Sequence, residues 1–242
     1  MALRGIKAIL LDLDDTLLIN PMSRFVPAYM QLICKFSADL VSPEKLSSSL
    51  LRGTRAMEKN TDPSTTNETV FFSEFFSSVG VEEHVLRPRL ERFYVDSYPD
   101  LESLTHPSPY GRTMVERSFQ AGLQVVIATN PLFPRMALEQ RIAWADVPLS
   151  EFPYSLVTAF DNMHAAKPNP EYYLEILDNI GRNPQDCLMV GDDWDRDISP
   201  AASIGIRVFW IRCQKNETPD NIPPNLWLGQ GSLGDLIRLL FS

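Results

Sequence analysis

Ile6-Lys7-Ala8-Ile9-Leu10-Leu11-Asp12-Leu13-Asp14-Asp15-Thr16 is the stretch from which the rest of the chain can be read. The apolar run has the length and composition of a buried strand, and the acids follow where the backbone leaves it. Alternate residues of an extended chain share a face, so Asp12 and Asp14 are placed to serve one site. In an open α/β sheet, ligands bind at that edge. Two carboxylates so close repel unless a cation, a shared proton or a substrate holds them together. A calcium loop also begins Asp-x-Asp, but it needs Gly at its sixth position and Glu at its twelfth. Those places hold Leu17 and Ser23, which excludes it.

Around this stretch the chain alternates. Further apolar runs span 123–128, 154–160, 187–190 and 206–211, with a weaker one at 226–228. Between them lie helical patterns, such as Arg112 to Ala121 before Gly122 and the C-terminal set Leu233, Leu236, Ile237 and Leu240. Strands alternating with helices predict βαβ units and a doubly wound, Rossmann-like parallel sheet. From Pro21 to Tyr98 the pattern is helical only. Ser42-Pro43-Glu44 is a capped helix start with Pro at the first position. Phe71, Phe72, Phe75, Phe76 and Val79 keep helical spacing up to Gly80, and they read as the insert's own core. A further helix is expected from Val85 to Tyr94, with Pro88 in its first turn or marking a break. Asn60 to Thr69 is polar and reads as a loop. The expected division is a core of 1–20 and 99–242 with a helical insert at 21–98.

Composition narrows the classes of function. A net charge of −9 over 242 residues leaves no surplus of cations for a polyphosphate backbone, so nucleic acid is not an expected partner. No run approaches the roughly 20 apolar residues of a membrane span. The apolar stretch after Arg4 and Lys7 runs straight into aspartates and has no small-residue cleavage site, which argues against a signal peptide. Cys34, Cys187 and Cys213 lie far apart without a C-x-x-C pair. They read as free thiols in a reducing compartment, and the expected location is cytoplasmic.

Three more features fall at predicted strand ends. Thr129-Asn130 closes the second strand, Lys167-Pro168-Asn169-Pro170 precedes a helix, and Gly191-Asp192-Asp193, with Asp197 beyond, closes the fourth. A parallel sheet brings all of them to one edge. The inventory suits phosphoryl transfer, where positioning and charge neutralisation supply most of the acceleration. A carboxylate can attack phosphorus, a second can move protons, and Mg2+ prefers carboxylates plus phosphate oxygens. Lys167 would neutralise phosphate charge, aided by the helix start after it.

Asp12-x-Asp14-x-Thr16, Thr129, Lys167-Pro168 and Gly191-Asp192-x-x-x-x-Asp197, in this order, resemble the four motifs of the haloacid dehalogenase superfamily. The helical insert resembles that superfamily's first type of cap. The resemblance implies Asp12 as nucleophile and Asp14 as general acid/base. It implies Thr129, Asn130 and Lys167 around the phosphoryl group. Asp12, the Asp14 carbonyl and Asp192 would hold Mg2+, with Asp197 as a further or indirect ligand. Asp193 departs from the small hydroxyl residue often found at its position, so either Asp193 or Asp197 is left as the closer acid. Within the superfamily, an acid at the place of Asp14 separates phosphatases from haloacid dehalogenases.

Several residues carry plainer expectations. Asp195 reads as solvated or structural, and Trp194 as lining the cleft or packing beside it. His84, His106 and His164 show no metal-ligand pattern. Arg24, Arg52, Arg55, Lys59 and Arg87 are possible anion contacts from the insert, each reading more readily as a solvated face residue. The expected function is Mg2+-dependent hydrolysis of a small phosphorylated metabolite through an aspartyl-phosphate. A phosphomutase, a dehalogenase on the same core and a catalytically silent binding protein are the alternatives.

Overall fold

The computed structural model describes residues 5–212 and 222–242. Strand β1 (Ala8–Leu11) is fully buried, as its unbroken apolar run requires of a central parallel strand. Its side chains alternate between two cores. Ile9 and Leu11 enter one cluster, Ala8 and Leu10 the other. Strands β4 (Gln124–Ile127) and β6 (Cys187–Gly191) flank β1 in parallel and alternate in the same way, so helices cover both faces of the sheet. The edges are β5 (Leu156–Val157) beside β4, and β7 (Arg207–Ile211) then β8 (Trp227–Gly231) beyond β6. The sheet is six-stranded with order β5-β4-β1-β6-β7-β8. β1 reverses the direction of winding, so its C-terminal end is the topological switch point.

A second pair, β2 (Leu18–Ile19) and β3 (His106–Pro107), is antiparallel and two residues long. It lies at the base of the insert, which the sequence pattern did not indicate. Helices α1 (Met22–Phe36), α2 (Pro43–Glu58), α3 (Asn67–Val79) and α4 (Glu83–Asp96) follow. Ser42 caps α2 by accepting from the Lys45 N–H at 3.3 Å, and Gly80 closes α3 at φ 76°, a left-handed C-cap open to glycine. α2 and α3 lie close at Gly53, where an added Cβ would come within 2.6 Å of the Phe71 ring.

Three boundaries differ from expectation. The run 154–160 yields only the two-residue β5, at one edge of the sheet. The polar stretch at 60–69 is not all loop: Thr66 caps α3, which begins at Asn67. Asn67 is fully buried and anchors the helix, its backbone N–H donating to the Met163 carbonyl at 2.8 Å and its amide to the Ala165 carbonyl at 3.1 Å. Helix α4 starts two residues before Val85 and runs through Pro88 to Asp96.

The remaining helices pack on the sheet: α5 (Gly111–Gln120), α6 (Arg135–Trp144), α7 (Pro170–Ile180), the short α8 (Ser199–Ser203) and α9 (Leu233–Phe241). Tyr98, fully buried after α4, joins insert to sheet domain. Its ring meets Phe25 and Tyr29 of α1 and Phe93 of α4, and stacks on Trp144 of α6 at 5.5 Å. Cys34 and Cys187 are buried free thiols; Cys213 lies outside the described residues. No helix among the described residues is long and apolar enough to cross a membrane.

Candidate active site

The acids enter the site because β1 stops at Leu11 and the chain then winds tightly. The Leu13 carbonyl accepts from the N–H groups of Leu17 and Leu18, both at 2.9 Å, and Asp15 takes φ 56°. Asp15 supports the turn through its carboxylate, which accepts from the Asn20 N–H at 2.9 Å. Asp12 is held deeper, its N–H bonded to the Val190 carbonyl of β6. A cleft of about 240 Å³ opens over these strand ends.

Asp12 and Asp14 face different partners. Asp12 accepts from Lys167 Nζ at 2.7 Å, and the same ammonium donates to Asp197 Oδ1 at 2.6 Å. Lys167 and Asp197 are buried almost completely. Asp12, Asp192 and Asp197 each bring a carboxylate oxygen within 4.8 Å of the others. The one ammonium thus pairs with two of the three clustered carboxylates, Asp12 and Asp197. Burial raises the Asp12 carboxyl well above the usual range, although Lys167 works against it. Burial also pushes Asp192 up to about 7, with the charges of Asp197 and Asp15 adding to it. A close set of hard, anionic oxygens whose charge is incompletely neutralised fits a divalent cation. Asp12, Asp192 and Asp197 are the residues able to hold one.

Gly191 explains why the fourth motif begins with glycine. Its backbone conformation is ordinary, but an added Cβ would overlap the Asp197 carboxylate. The carboxylate occupies the space a side chain would need, and its second oxygen accepts from the Asp193 N–H at 3.1 Å. Asp193 itself turns elsewhere. Its carboxylate caps the π-helical turn Trp194–Ile198, accepting from the Asp195 and Arg196 N–H groups at 2.9 and 3.0 Å. Between the two acids the sequence left open, Asp197 is the member of the cluster.

Asp14 stands outside that cluster. Its carboxylate accepts from Asn20 Nδ2 at 2.7 Å and from Arg141 Nη1 at 2.7 Å. Arg141 sits on α6, is 1% exposed, and its guanidinium lies over the Phe133 ring at 4.7 Å. Sequence reasoning missed it. The available signal was a charge on an otherwise apolar stripe, with Leu138 three residues before and Ile142 beside it.

The remaining predicted residues converge as well. Thr129 and Asn130 follow β4 and line the cleft. The Thr129 carbonyl is fixed by the Thr158 and Tyr172 hydroxyls, which donate at 2.7 and 2.9 Å. Asn130 Oδ1 accepts from the Lys167 N–H at 3.2 Å, while its buried Nδ2 has no partner. The Lys167-Pro168 peptide is cis. Trp194 lies 4.8 Å from Trp210 and packs beside the cleft. His164 pairs with Glu175, and His84 and His106 are exposed. None of Arg24, Arg52, Arg55, Lys59 or Arg87 lines the cleft. Arg52 pairs with Glu74, and Arg87 with Glu83 and Glu68.

The family model of haloacid dehalogenase-like hydrolases matches residues 6–205, which take in every residue of the cleft. The chain belongs to the haloacid dehalogenase-like hydrolases. Solved structures of this family's fold share it along nearly the whole chain. A 2-haloacid dehalogenase from Pseudomonas syringae superposes with a TM-score of 0.66 at 18% identity, over 97% of this chain and 98% of that one. An HAD phosphatase from Thermococcus onnurineus gives 0.58 at 21% identity, over 98% of each. These likenesses establish the fold and leave the reaction to the residues. A phospholysine phosphohistidine inorganic pyrophosphate phosphatase from Xenopus laevis is 37% identical over 60 residues, 25% of this chain and 22% of that protein. The match thus spans under a quarter of that relative.

Proposed function

We propose that this hydrolase is a Mg2+-dependent phosphomonoesterase, working in the cytoplasm on a small phosphorylated substrate. The observation that carries the reading is the separation of the two acids. Asp12 sits in the Lys167–Asp192–Asp197 cluster, whereas Asp14 is held apart by Arg141 and Asn20. This separation supports attack by one carboxylate and proton transfer by the other. Dehalogenation needs no acid for its halide leaving group, so Asp14 and its two supporting side chains favour an ester leaving group.

In this mechanism an Asp12 oxygen attacks phosphorus, and the P–O bond to the ester oxygen breaks. Asp14 gives its proton to the departing oxygen, which leaves as an alcohol. Asp14 then takes a proton from water as that water attacks phosphorus, the P–O bond to Asp12 breaks, and inorganic phosphate leaves. Lys167, the Thr129 hydroxyl and the unpartnered Asn130 Nδ2 receive the phosphoryl oxygens. Asp12, Asp192, Asp197 and the Asp14 carbonyl would hold Mg2+. When bound, the ion neutralises phosphoryl charge and relieves the repulsion among the carboxylates. Helices α1 to α4, within residues 21–98, act as a cap over a core of 1–20 and 99–242.

The test is turnover of an aryl phosphate with and without Mg2+, in the natural chain and in Asp12→Asn. Turnover is expected to need the metal and to vanish in the variant while its circular dichroism is unchanged. Wild-type turnover in Asp12→Asn removes Asp12 as the nucleophile.

A further inference from the structure

A second cavity, of about 360 Å³, adjoins the first. Met22, Leu132, Phe133 and Arg196 line both, so one ligand spanning these four residues would occupy the two together. The second lies between the insert and the loops after β4 and β5. Six aromatic rings face it: Tyr29, Phe71, Phe72, Tyr94, Phe133 and Phe160. Phe71 and Phe72, read from sequence as the insert's own core, thus also present surface to a void.

The chemistry of the walls is as informative as their shape. Arg196 is the single charged residue among those lining the cavity, and it stands at the junction with the acid cleft. The polar side chains otherwise present are Thr54, Tyr29 and Tyr94. Thr54 Oγ1 donates to the Leu50 carbonyl at 3.0 Å, and the two tyrosine hydroxyls bond each other at 3.0 Å. That tyrosine pair retains one hydroxyl hydrogen for a ligand. A sugar entering here would lose water from several hydroxyls and recover few hydrogen bonds, each unmade bond costing affinity. An aromatic group would lose little and meet edges and faces of rings already in T-shaped contact, such as Tyr29 and Phe133 at 5.4 Å. A cavity of roughly 150 Å³ accepts benzene, so this one has room for about two fused rings.

We infer that the preferred substrates are phosphomonoesters of an aromatic alcohol, with phosphate in the acid cleft and a one- or two-ring body in the apolar cavity. This rests on the phosphatase reading and names its substrate class. It narrows the expectation of a small phosphorylated metabolite to an aromatic one; none of Arg24, Arg52, Arg55, Lys59 and Arg87 lines either compartment.

The test compares 2-naphthylmethyl phosphate with glucose 6-phosphate, both esters of primary alcohols, and uses acetyl phosphate as a substrate too small to reach the second cavity. Leu51 and Val26 line that cavity and are 48% and 38% exposed, so Leu51→Asp and Val26→Asp alter its mouth without burying a charge in the core. With Mg2+, kcat/KM is expected to favour the naphthyl ester by about tenfold or more. Either variant should remove that preference, lowering kcat/KM for the naphthyl ester by a larger factor than for acetyl phosphate. Equal or faster turnover of glucose 6-phosphate, or a preference that survives both variants, overturns the inference. Failure to hydrolyse any of the three overturns the phosphatase reading instead. Calorimetric binding of 2-naphthylmethanol then decides the cavity by itself: binding that is lost in Leu51→Asp supports it, and no binding to the natural chain refutes it.

Discussion

Arg141 and Asp14 form an ion pair at 2.7 Å across 127 residues of sequence, with the guanidinium 1% exposed and the carboxylate facing the cleft. The pair holds the Asp14 carboxylate apart from the cluster of Asp12, Asp192 and Asp197. A buried guanidinium is stable only while its counter-charge is in place, so α6 is held against the loop after β1 by the group proposed to move protons. Arg141→Met removes the partner and leaves Asp14 with Asn20 alone. Expected outcomes are a loss of about 3 kcal/mol in urea unfolding and at least a tenfold fall in kcat on 2-naphthylmethyl phosphate, whose alkoxide leaving group needs a proton. Arg141→Lys should recover more stability than rate, because an ammonium restores charge without the planar fork. Unchanged kcat in a destabilised Arg141→Met would confine the residue to folding.

Without metal, stability should fall as pH rises between about 4 and 7. Asp192 has a folded-state value near 7 against 3.8 when free, so the folded protein binds the extra proton across that window. Stability is then highest below the free value and is lost as pH climbs through the folded one. Asp39, Asp62 and Asp235 are lowered by hydrogen bonds and act in the opposite sense, but below about 4. Millimolar Mg2+ should flatten or invert the fall, because a cation replaces the proton among the carboxylates. Urea titrations at pH 5 and pH 8, with chelator and with Mg2+, check this. A metal-free protein more stable at pH 8 would contradict it.

Gly191→Ala probes the cradle around Asp197. The new methyl group would occupy the place of the Asp197 carboxylate and push it from Lys167. A cost of about 2 kcal/mol is expected, as for other overpacked sites, together with loss of the rise in melting temperature that Mg2+ is expected to give the natural chain. Melting curves with and without metal test both. A variant that keeps its metal response would show that Asp197 can move without consequence.

The parts of this protein that were legible in its sequence are those where one physical cause dominates. β1, β4 and β6 are buried on both faces, which leaves an unbroken apolar run, and their ends carry the acids and Thr129. Residues serving two purposes were harder to read. Asn67 looks like loop, yet it is a buried anchor at a helix start. Arg141 looks like surface charge until Asp14 is brought beside it by the fold. Phe71 and Phe72 carry the spacing of an ordinary core, and periodicity does not reveal that part of that core is hollow. Asp193 and Asp197 could be ranked only once the turn after β6 had been seen to use Asp193 as its cap.

The segment from Phe160 to Lys167 links two events that chemistry keeps separate. The Phe160, Met163 and Ala165 carbonyls anchor the start of α3, which forms one wall of the apolar cavity, and Lys167 follows two residues later with its ammonium between Asp12 and Asp197. The wall of the cavity and the ammonium among the acids are therefore both fixed to one short piece of backbone, so any coupling between them would run through it. Thermodynamic reciprocity then applies: whatever tightens the ring pocket when phosphate is present must tighten phosphate binding, by the same factor, when the pocket is filled.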